Sequence, residues 1–153
     1  LHADGIALML ADYAGEHNIS FDCQAVAQQI YDYTSGYPFL VSRLCQIIDG
    51  MCLTWDKKGV LTAINILLKE DNTLFDDFMK KLSQFPDMAN MLKAILYRGE
   101  RIPFNYYDKS INLAAIFNFA YEKKGAVAVS CRIFETWLYN FFGKNKIVSL
   151  RNY

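Results

Sequence analysis

The residues best suited to chemistry in this chain form a corner between two helical segments, within Tyr31 to Cys45. Gly36 can adopt the left-handed backbone conformation that closes a helix, and Pro38 suits the first turn of the next helix. The backbone N–H groups of Phe39 and Leu40 would then lie at a helix N-terminus, which carries partial positive charge. Such an end can face a nucleotide or can simply form a solvent-filled bend.

The sequence does not support a phosphate-binding loop within this chain. That loop needs Gly-x-x-x-x-Gly-Lys-[Ser/Thr] between a strand and a helix, so that successive N–H groups surround the phosphates. Only Gly143-Lys144 offers the dipeptide, with Leu138 at the first glycine position and Asn145 at the hydroxyl position. We therefore expect that the chain is not an enzyme and does not bind ATP alone.

Other catalytic arrangements are equally weak. Two acidic pairs, at residues 70–71 and 76–77, are explained by helix capping and solvation, because nothing supplies the unequal burial that acid–base catalysis needs. The 2 histidines and 4 cysteines show no metal-ligand or disulfide-framework spacing. Three of the cysteines fall on apolar helix faces, so we expect small buried side chains in a reducing compartment.

Basic residues in the C-terminal half could contact nucleic acid. Lys123 and Lys124 stand at a predicted turn, Arg101 precedes them, and Lys109 precedes a short helix. These would be the phosphate contacts of a duplex-binding module. The short helix has two asparagines and no Arg, so lysines that solubilise a turn are the simpler interpretation and nucleic acid is not the favoured partner.

The composition indicates a folded chain that has no strong net electrostatic field. It has 153 residues, 53% of them hydrophobic, and its 16 basic side chains balance 16 acidic ones. The sequence has no apolar run of about 18 residues and no secretion signal, so we expect a cytoplasmic protein with no membrane partner. It begins with Leu1 and enters a helical pattern at once, which indicates a fragment of a longer polypeptide.

Apolar spacing predicts helices through the first 70 residues. Their expected ranges are about 5–16, from Asp22 through Tyr33, from Pro38 through Met51, and, after a polar break over Thr54 to Gly59, from Val60 through Leu68. Asp22 is the predicted cap of the second helix. The third helix has the broadest apolar surface and is expected to be the central one.

The second half changes character after Gly99. The predicted elements are a helix over Leu74 to Leu82 capped by Asn72 or Thr73, a helix opened by Pro86, a short edge strand over Arg101 to Phe104, a helix begun by Asp108 or Ser110, a hairpin with its turn at Lys123-Lys124-Gly125, and a closing helix from about Ser130 to Phe142. Helix, strand, helix, hairpin and helix is the order of a winged-helix unit.

Two segments read together resemble parts of bacterial P-loop ATPases. The first runs from Tyr33 to Cys45 with Ile47-Ile48-Asp49 after it, and the second runs from Ala126 to Glu135. They are similar to the helical lid and to the passage from wing to closing helix in AAA-like ATPases of the AAA+ and STAND type. Cys131 departs from that pattern, because Asn is more frequent there.

The resemblance implies a mainly α fold: a helical lid bundle at residues 1–71, followed by a winged-helix unit with a small β-hairpin at residues 72–153. In those ATPases the corner packs beside the nucleotide, which implies nucleotide contacts for Gly36, Tyr37 and Pro38. Arg43 is a candidate phosphate sensor, although its spacing from Gly36 is longer than in the origin-recognition initiators.

The resemblance further implies that ATP is held by a P-loop domain N-terminal to Leu1. ATP binding there would draw the corner toward the nucleotide and rotate the winged helix, exposing a surface to a protein partner. One alternative is a stand-alone winged-helix regulator that binds DNA. Another is a helical domain that only binds proteins.

Overall fold

A computed structural model describes residues 1–143 of the chain. The predicted mainly α class with a small β-hairpin is confirmed, because this part of the chain has eight helices and one small antiparallel hairpin. It forms two compact units, Leu1–Lys69 with Cys131–Ile133, and Glu70–Ser130 with residues 134–143. Residues 144–153, which the predicted winged-helix domain includes, lie outside the described residues.

The first unit is built from four helices. They are α1 (Ala3–Glu16), α2 (Cys23–Thr34), α3 (Pro38–Gly50) and α4 (Lys57–Lys69). Asp22 caps α2 as predicted, since its carboxylate accepts the backbone N–H of Ala25 at 3.1 Å. Helix α2 packs against the other three helices, so the central position predicted for α3 belongs to α2.

Helix α4 begins at Lys57 instead of Val60, because Asp56 caps it. The Asp56 carboxylate accepts the N–H of Gly59 at 2.9 Å. Gly59 is buried, and a Cβ there would lie 1.7 Å from the carbonyl oxygen of Thr54. The second half of the polar segment, which was predicted to interrupt the helical pattern, is therefore the first turn of α4. Only glycine fits at the position of Gly59 in that turn.

Aliphatic side chains fill the interior of the first unit. The fully buried members include Ile6, Leu10, Ile30, Leu40, Leu44, Ile48, Ile64 and Leu67. The cysteines do not follow the prediction: only Cys131 is buried, Cys23 and Cys45 are half-buried, and Cys52 is exposed. Cys52 is exposed because it lies just beyond the last turn of α3, in a left-handed conformation with φ of 52°.

The second unit contains three helices, a hairpin and most of a fourth helix. These elements are α5 (Thr73–Gln84), α6 (Pro86–Arg98), α7 (Lys109–Ile116), β1 (Ala120–Lys123), β2 (Ala126–Val129) and α8 (Arg132–Gly143), whose first two residues group with the first unit. Asn72 and Asp108 cap α5 and α7, accepting N–H groups at 2.8 Å and 3.1 Å. Gly99 ends α6 with a φ of +62°.

Aromatic rings fill the interior of the second unit. The Phe78 ring centroid lies 4.4 Å from that of Phe119 and 4.9 Å from that of Phe134. Phe75 stacks on Trp137 at 5.0 Å. One aromatic cluster therefore joins helices α5 and α8 to Phe119, the residue immediately before strand β1.

The hairpin has a two-residue turn. Ala120 pairs with Val129 and Lys123 with Ala126. Lys124 and Gly125 have φ of 50° and 79°, as a type I′ turn requires. Lys123, which we predicted in the turn, belongs to strand β1.

The predicted edge strand at Arg101 to Phe104 is reduced to a single bridge between Pro103 and Ala126. The flanking residues make the hydrogen bonds: Val127 N–H donates to the Ile102 carbonyl at 2.8 Å, and Phe104 N–H donates to the Gly125 carbonyl at 2.9 Å. Proline is tolerated at the bridge because its missing N–H is not part of this pairing.

Candidate functional site

The corner between α2 and α3 is built around a buried hydroxyl. Ser35 and Gly36 both have left-handed backbones, with φ of 51° and 77°, which reverses the chain after α2. The Thr34 hydroxyl is completely buried; it donates to the Ile30 carbonyl at 2.7 Å and accepts the Gly36 N–H at 3.1 Å. The corner conformation is thus fixed by local hydrogen bonds before any ligand is considered.

The backbone of Leu1 lies directly against Gly36. The Leu1 amino nitrogen donates to the Gly36 carbonyl at 3.2 Å. A Cβ at Gly36 would lie 1.7 Å from the Leu1 carbonyl oxygen. Gly36 is therefore buried, whereas Tyr37 is half-buried and Pro38 is exposed, so Tyr37 and Pro38 form the accessible part of the corner.

Arg43 lies one and a half turns along α3. Its side chain is half-buried, and its guanidinium Nη1 donates to the Gln46 side-chain oxygen at 3.3 Å. Arg43, the candidate phosphate sensor, is therefore hydrogen-bonded to a side chain of its own helix. Gln46 also lines the groove that begins at Pro38.

A groove of about 480 Å³ lies beside the corner, between α1 and α3. Its lining is mostly apolar and consists of Leu1, Met9, Leu10, Tyr13, Pro38, Val41, Ser42, Cys45, Gln46, Asp49 and Trp55. Its volume falls within the range of small-molecule sites, about 300–1,000 Å³. Pro38 is the one predicted nucleotide contact that lines it.

Two polar side chains in the groove have shifted pKa values, one through a hydrogen bond and the other through burial. The Tyr13 hydroxyl donates a short hydrogen bond to the Asp49 carboxylate, which is the main reason that the pKa of Tyr13 is raised. Burial raises the pKa of the Cys45 thiol to about 11. A protonated thiol is a poor nucleophile, so Cys45 is not in an activated form.

Aromatic rings form one wall of the groove. Trp55 lies 5.0 Å from the Tyr13 ring and stacks on Phe21 at 5.3 Å. Sequence reasoning missed Tyr13, Asp49 and Trp55 as site residues. The available signal was Trp55 itself, a large aromatic residue in an otherwise polar segment between two helices.

The basic residues of the second unit come together in part. The Arg101 guanidinium Nη2 donates to the Lys124 carbonyl at 3.1 Å, which brings Arg101 to the hairpin turn beside the exposed Lys123 and Lys124. Lys109 is exposed at the first position of α7. Three of the four predicted nucleic-acid contacts therefore share the hairpin end of this unit.

Within residues 1–143, no group of three or more His, Cys, Asp or Glu side chains is arranged to hold a metal ion. No helix in that range is both long and apolar enough to cross a bilayer. No protein-family model, curated protein or solved structure matches this chain.

Proposed function

We propose that this chain is the C-terminal, non-catalytic part of an AAA-like P-loop ATPase. In this proposal the first unit is the helical lid over ATP, which a P-loop domain ahead of Leu1 holds. The second unit is a winged helix that carries the nucleotide state to a partner, for which the sequence favours a protein. The element order from α6 through the Pro103 bridge, α7, the hairpin and α8 supports a winged helix.

The observation that carries the proposal is the position of Leu1 at the corner. The Leu1 nitrogen is 3.2 Å from the Gly36 carbonyl oxygen. A domain joined ahead of Leu1 would therefore be attached covalently beside Tyr37, Pro38 and the groove. In a longer chain, the Leu1 nitrogen would be a backbone amide that could donate the same hydrogen bond.

The corner would then act as a preformed contact for the nucleotide. Pro38 and Tyr37 would pack against the base or sugar, and the N-terminus of α3 would present its partial positive charge to the phosphates. Arg43 would reach a phosphate by leaving Gln46. ATP binding would pull the lid toward the P-loop domain and so reposition the second unit.

The test is the ATP affinity of the longer protein, from fluorescence of a labelled ATP analogue, in Pro38→Ala and Arg43→Ala variants. Pro38→Ala removes two methylene groups at about 0.8 kcal/mol each when buried, so affinity should fall by up to about 15-fold. Arg43→Ala should lower affinity for ATP more than for adenosine, because it removes a phosphate contact.

Pro86→Ala is the matched control for the corner. Pro86 is also an exposed proline at the first position of a helix, α6, so the change has the same effect on helix initiation. It should leave ATP affinity unchanged. Unchanged binding and turnover in both Pro38→Ala and Arg43→Ala, or a longer protein without Walker A and Walker B motifs upstream, would remove the proposal.

A further inference from the structure

Two adjacent tyrosines protrude from the second unit. The Tyr107 side chain is 98% exposed and the Tyr106 side chain is 68% exposed. They lie between the Pro103 bridge and the start of α7. Aromatic rings usually contribute their large apolar surface to a core or an interface, so neighbouring rings in water indicate a binding surface.

The segment that carries these rings is held in place. The Asn105 side-chain oxygen accepts the Tyr107 N–H at 3.0 Å, and the Asn105 carbonyl accepts the Asp108 N–H at 3.1 Å. Tyr106 packs edge-on against Phe104 at 4.7 Å. Because the Phe104 N–H donates to the Gly125 carbonyl at 2.9 Å, the segment and the Tyr106 ring are held close to the hairpin turn.

Four cationic side chains stand against three carboxylates in the segments next to the rings, residues 100–109 and 120–126. Arg101 hydrogen-bonds to a backbone carbonyl of the turn, and Lys109, Lys123 and Lys124 have no carboxylate within 4.0 Å among residues 1–143. Glu122 is exposed in β1, whereas the other two acids are already engaged. Glu100 pairs with Arg98 at 3.1 Å, and Asp108 caps α7.

We propose that this surface, comprising Arg101, Tyr106, Tyr107, Lys109, Lys123 and Lys124 and called here the tyrosine–lysine surface, binds single-stranded nucleic acid. Tyr106 and Tyr107 stack on unpaired bases, and the four cations contact the phosphates. Single-strand-binding proteins combine aromatic stacking with a positively charged path for the backbone in this way. The inference goes beyond the proposed function, because it gives the second unit a nucleic-acid ligand in addition to the protein partner that the sequence favours.

The shape of the surface favours single strands over the alternatives. A protruding ring with open faces can be covered by planar bases on both sides. In a duplex the base faces are already stacked, so only edges and phosphates would be available. Helix α7 has eight residues and no Arg, which gives duplex reading little support.

The test is fluorescence anisotropy of a labelled oligothymidylate of about 20 nucleotides, titrated with the full chain. With three or four phosphate contacts, log K should fall with log salt concentration with a slope of about −2 to −3. Tyr106→Ala and Tyr107→Ala should each weaken binding about tenfold. Tyr106→Phe and Tyr107→Phe keep the stacking faces and should retain binding.

Charge variants give a second, independent readout. Lys123→Gln with Lys124→Gln should weaken binding and reduce the salt slope by about 1.4. Lys57→Gln with Lys58→Gln is the matched control, because these are also adjacent exposed lysines but lie in the first unit. That control should leave both affinity and slope unchanged.

Three results would overturn the inference: no oligothymidylate binding at about 50 mM salt, tighter binding to a duplex of equal length with no effect of the tyrosine variants, or equal competition by polyglutamate. The last two would indicate duplex contacts or an acidic protein partner. Circular dichroism melting of Tyr107→Ala, whose side chain is almost fully exposed, checks that the fold is retained. These assays contain no ATP, so their failure is distinct from a failure of the Pro38→Ala test.

Discussion

Two independent constraints fix the identity of Gly36. Its φ of +77° is a left-handed conformation, and its missing side chain lets the Leu1 backbone approach. Gly36→Ala should therefore destabilise the chain by about 2–3 kcal/mol, the sum of about 1–2 kcal/mol for a left-handed alanine and about 1 kcal/mol for a displaced hydrogen bond. Urea denaturation measures this loss.

Variants at two other glycines measure the conformational contribution separately from that of the contact with Leu1. Gly99 has a φ of +62° but nothing within 4 Å of a Cβ, so Gly99→Ala should cost only the conformational term, about 1–2 kcal/mol. Gly50 has neither constraint, and Gly50→Ala at the end of α3 should be neutral or stabilising by up to about 1 kcal/mol. If Gly36→Ala cost no more than Gly99→Ala, the contact with Leu1 would have no energetic importance.

The groove should make stability sensitive to alkaline pH. The pKa of Tyr13 is raised above 10.0, mainly by the hydrogen bond to Asp49, and burial raises the pKa of Cys45 from 9.0 to about 11. Both groups hold their protons more tightly in the folded chain than in the unfolded chain. Their stabilisation is therefore complete below the unfolded-state pKa and is lost as pH rises through the folded-state pKa.

We expect urea midpoints to be steady up to about pH 8 and to fall between about pH 9 and 11. Tyr13→Phe combined with Cys45→Ala should flatten much of this fall, from a lower starting stability, because a half-buried thiol and a hydrogen bond are removed. Tyr97, whose pKa is raised mainly by burial, should account for part of the remainder. If the urea midpoint of the double variant fell as much at alkaline pH as that of the unchanged chain, this assignment would be contradicted.

Helix ends were the most predictable feature of the chain. Asp22, Asn72 and Asp108 cap helices as their side-chain chemistry predicts, and Pro38 and Pro86 stand at first helical positions. These signals are local, because a cap needs only a side-chain oxygen and an N–H group three residues later. The Asp56 cap was missed because Gly59 suggested a break instead of a helical first turn.

The contribution of the Asn72 cap to the free energy of unfolding can be measured directly. Asn72→Ala removes the oxygen that accepts the Phe75 N–H at 2.8 Å, so the free energy of unfolding should fall by about 1 kcal/mol. Asn90→Ala makes the same chemical change at an exposed position inside α6, where alanine is the better helix former, and should raise stability by a few tenths of a kcal/mol. Equal effects of the two changes in thermal melts would mean that the cap contributes nothing.

Pairing between distant segments was less predictable. The residues at 101–104 carry a strand-like pattern, but only Pro103 forms a bridge, since pairing depends on where the hairpin turn falls. The register of that turn depends on Lys124 and Gly125 both adopting positive φ. A pattern of residue types does not specify that choice for a lysine.

Across the two units, the sequence predicted the mainly α class, and it predicted the corner conformation from Gly36 and Pro38. It did not predict the surroundings of the corner. Leu1, Tyr13 and Trp55 reach the groove only through the packing of α1 against α2 and the placement of the segment before α4. The exposure of Tyr106 and Tyr107 is also a tertiary property, which composition and spacing do not reveal.

The contact between Leu1 and Gly36 has a practical consequence for anyone who handles this polypeptide. A purification tag or fluorescent protein fused ahead of Leu1 would sit at the α2–α3 corner and would crowd the surface where we propose that nucleotide contacts form. A small thiol-reactive dye on the exposed Cys52 would be a gentler reporter, because that residue does not line the groove.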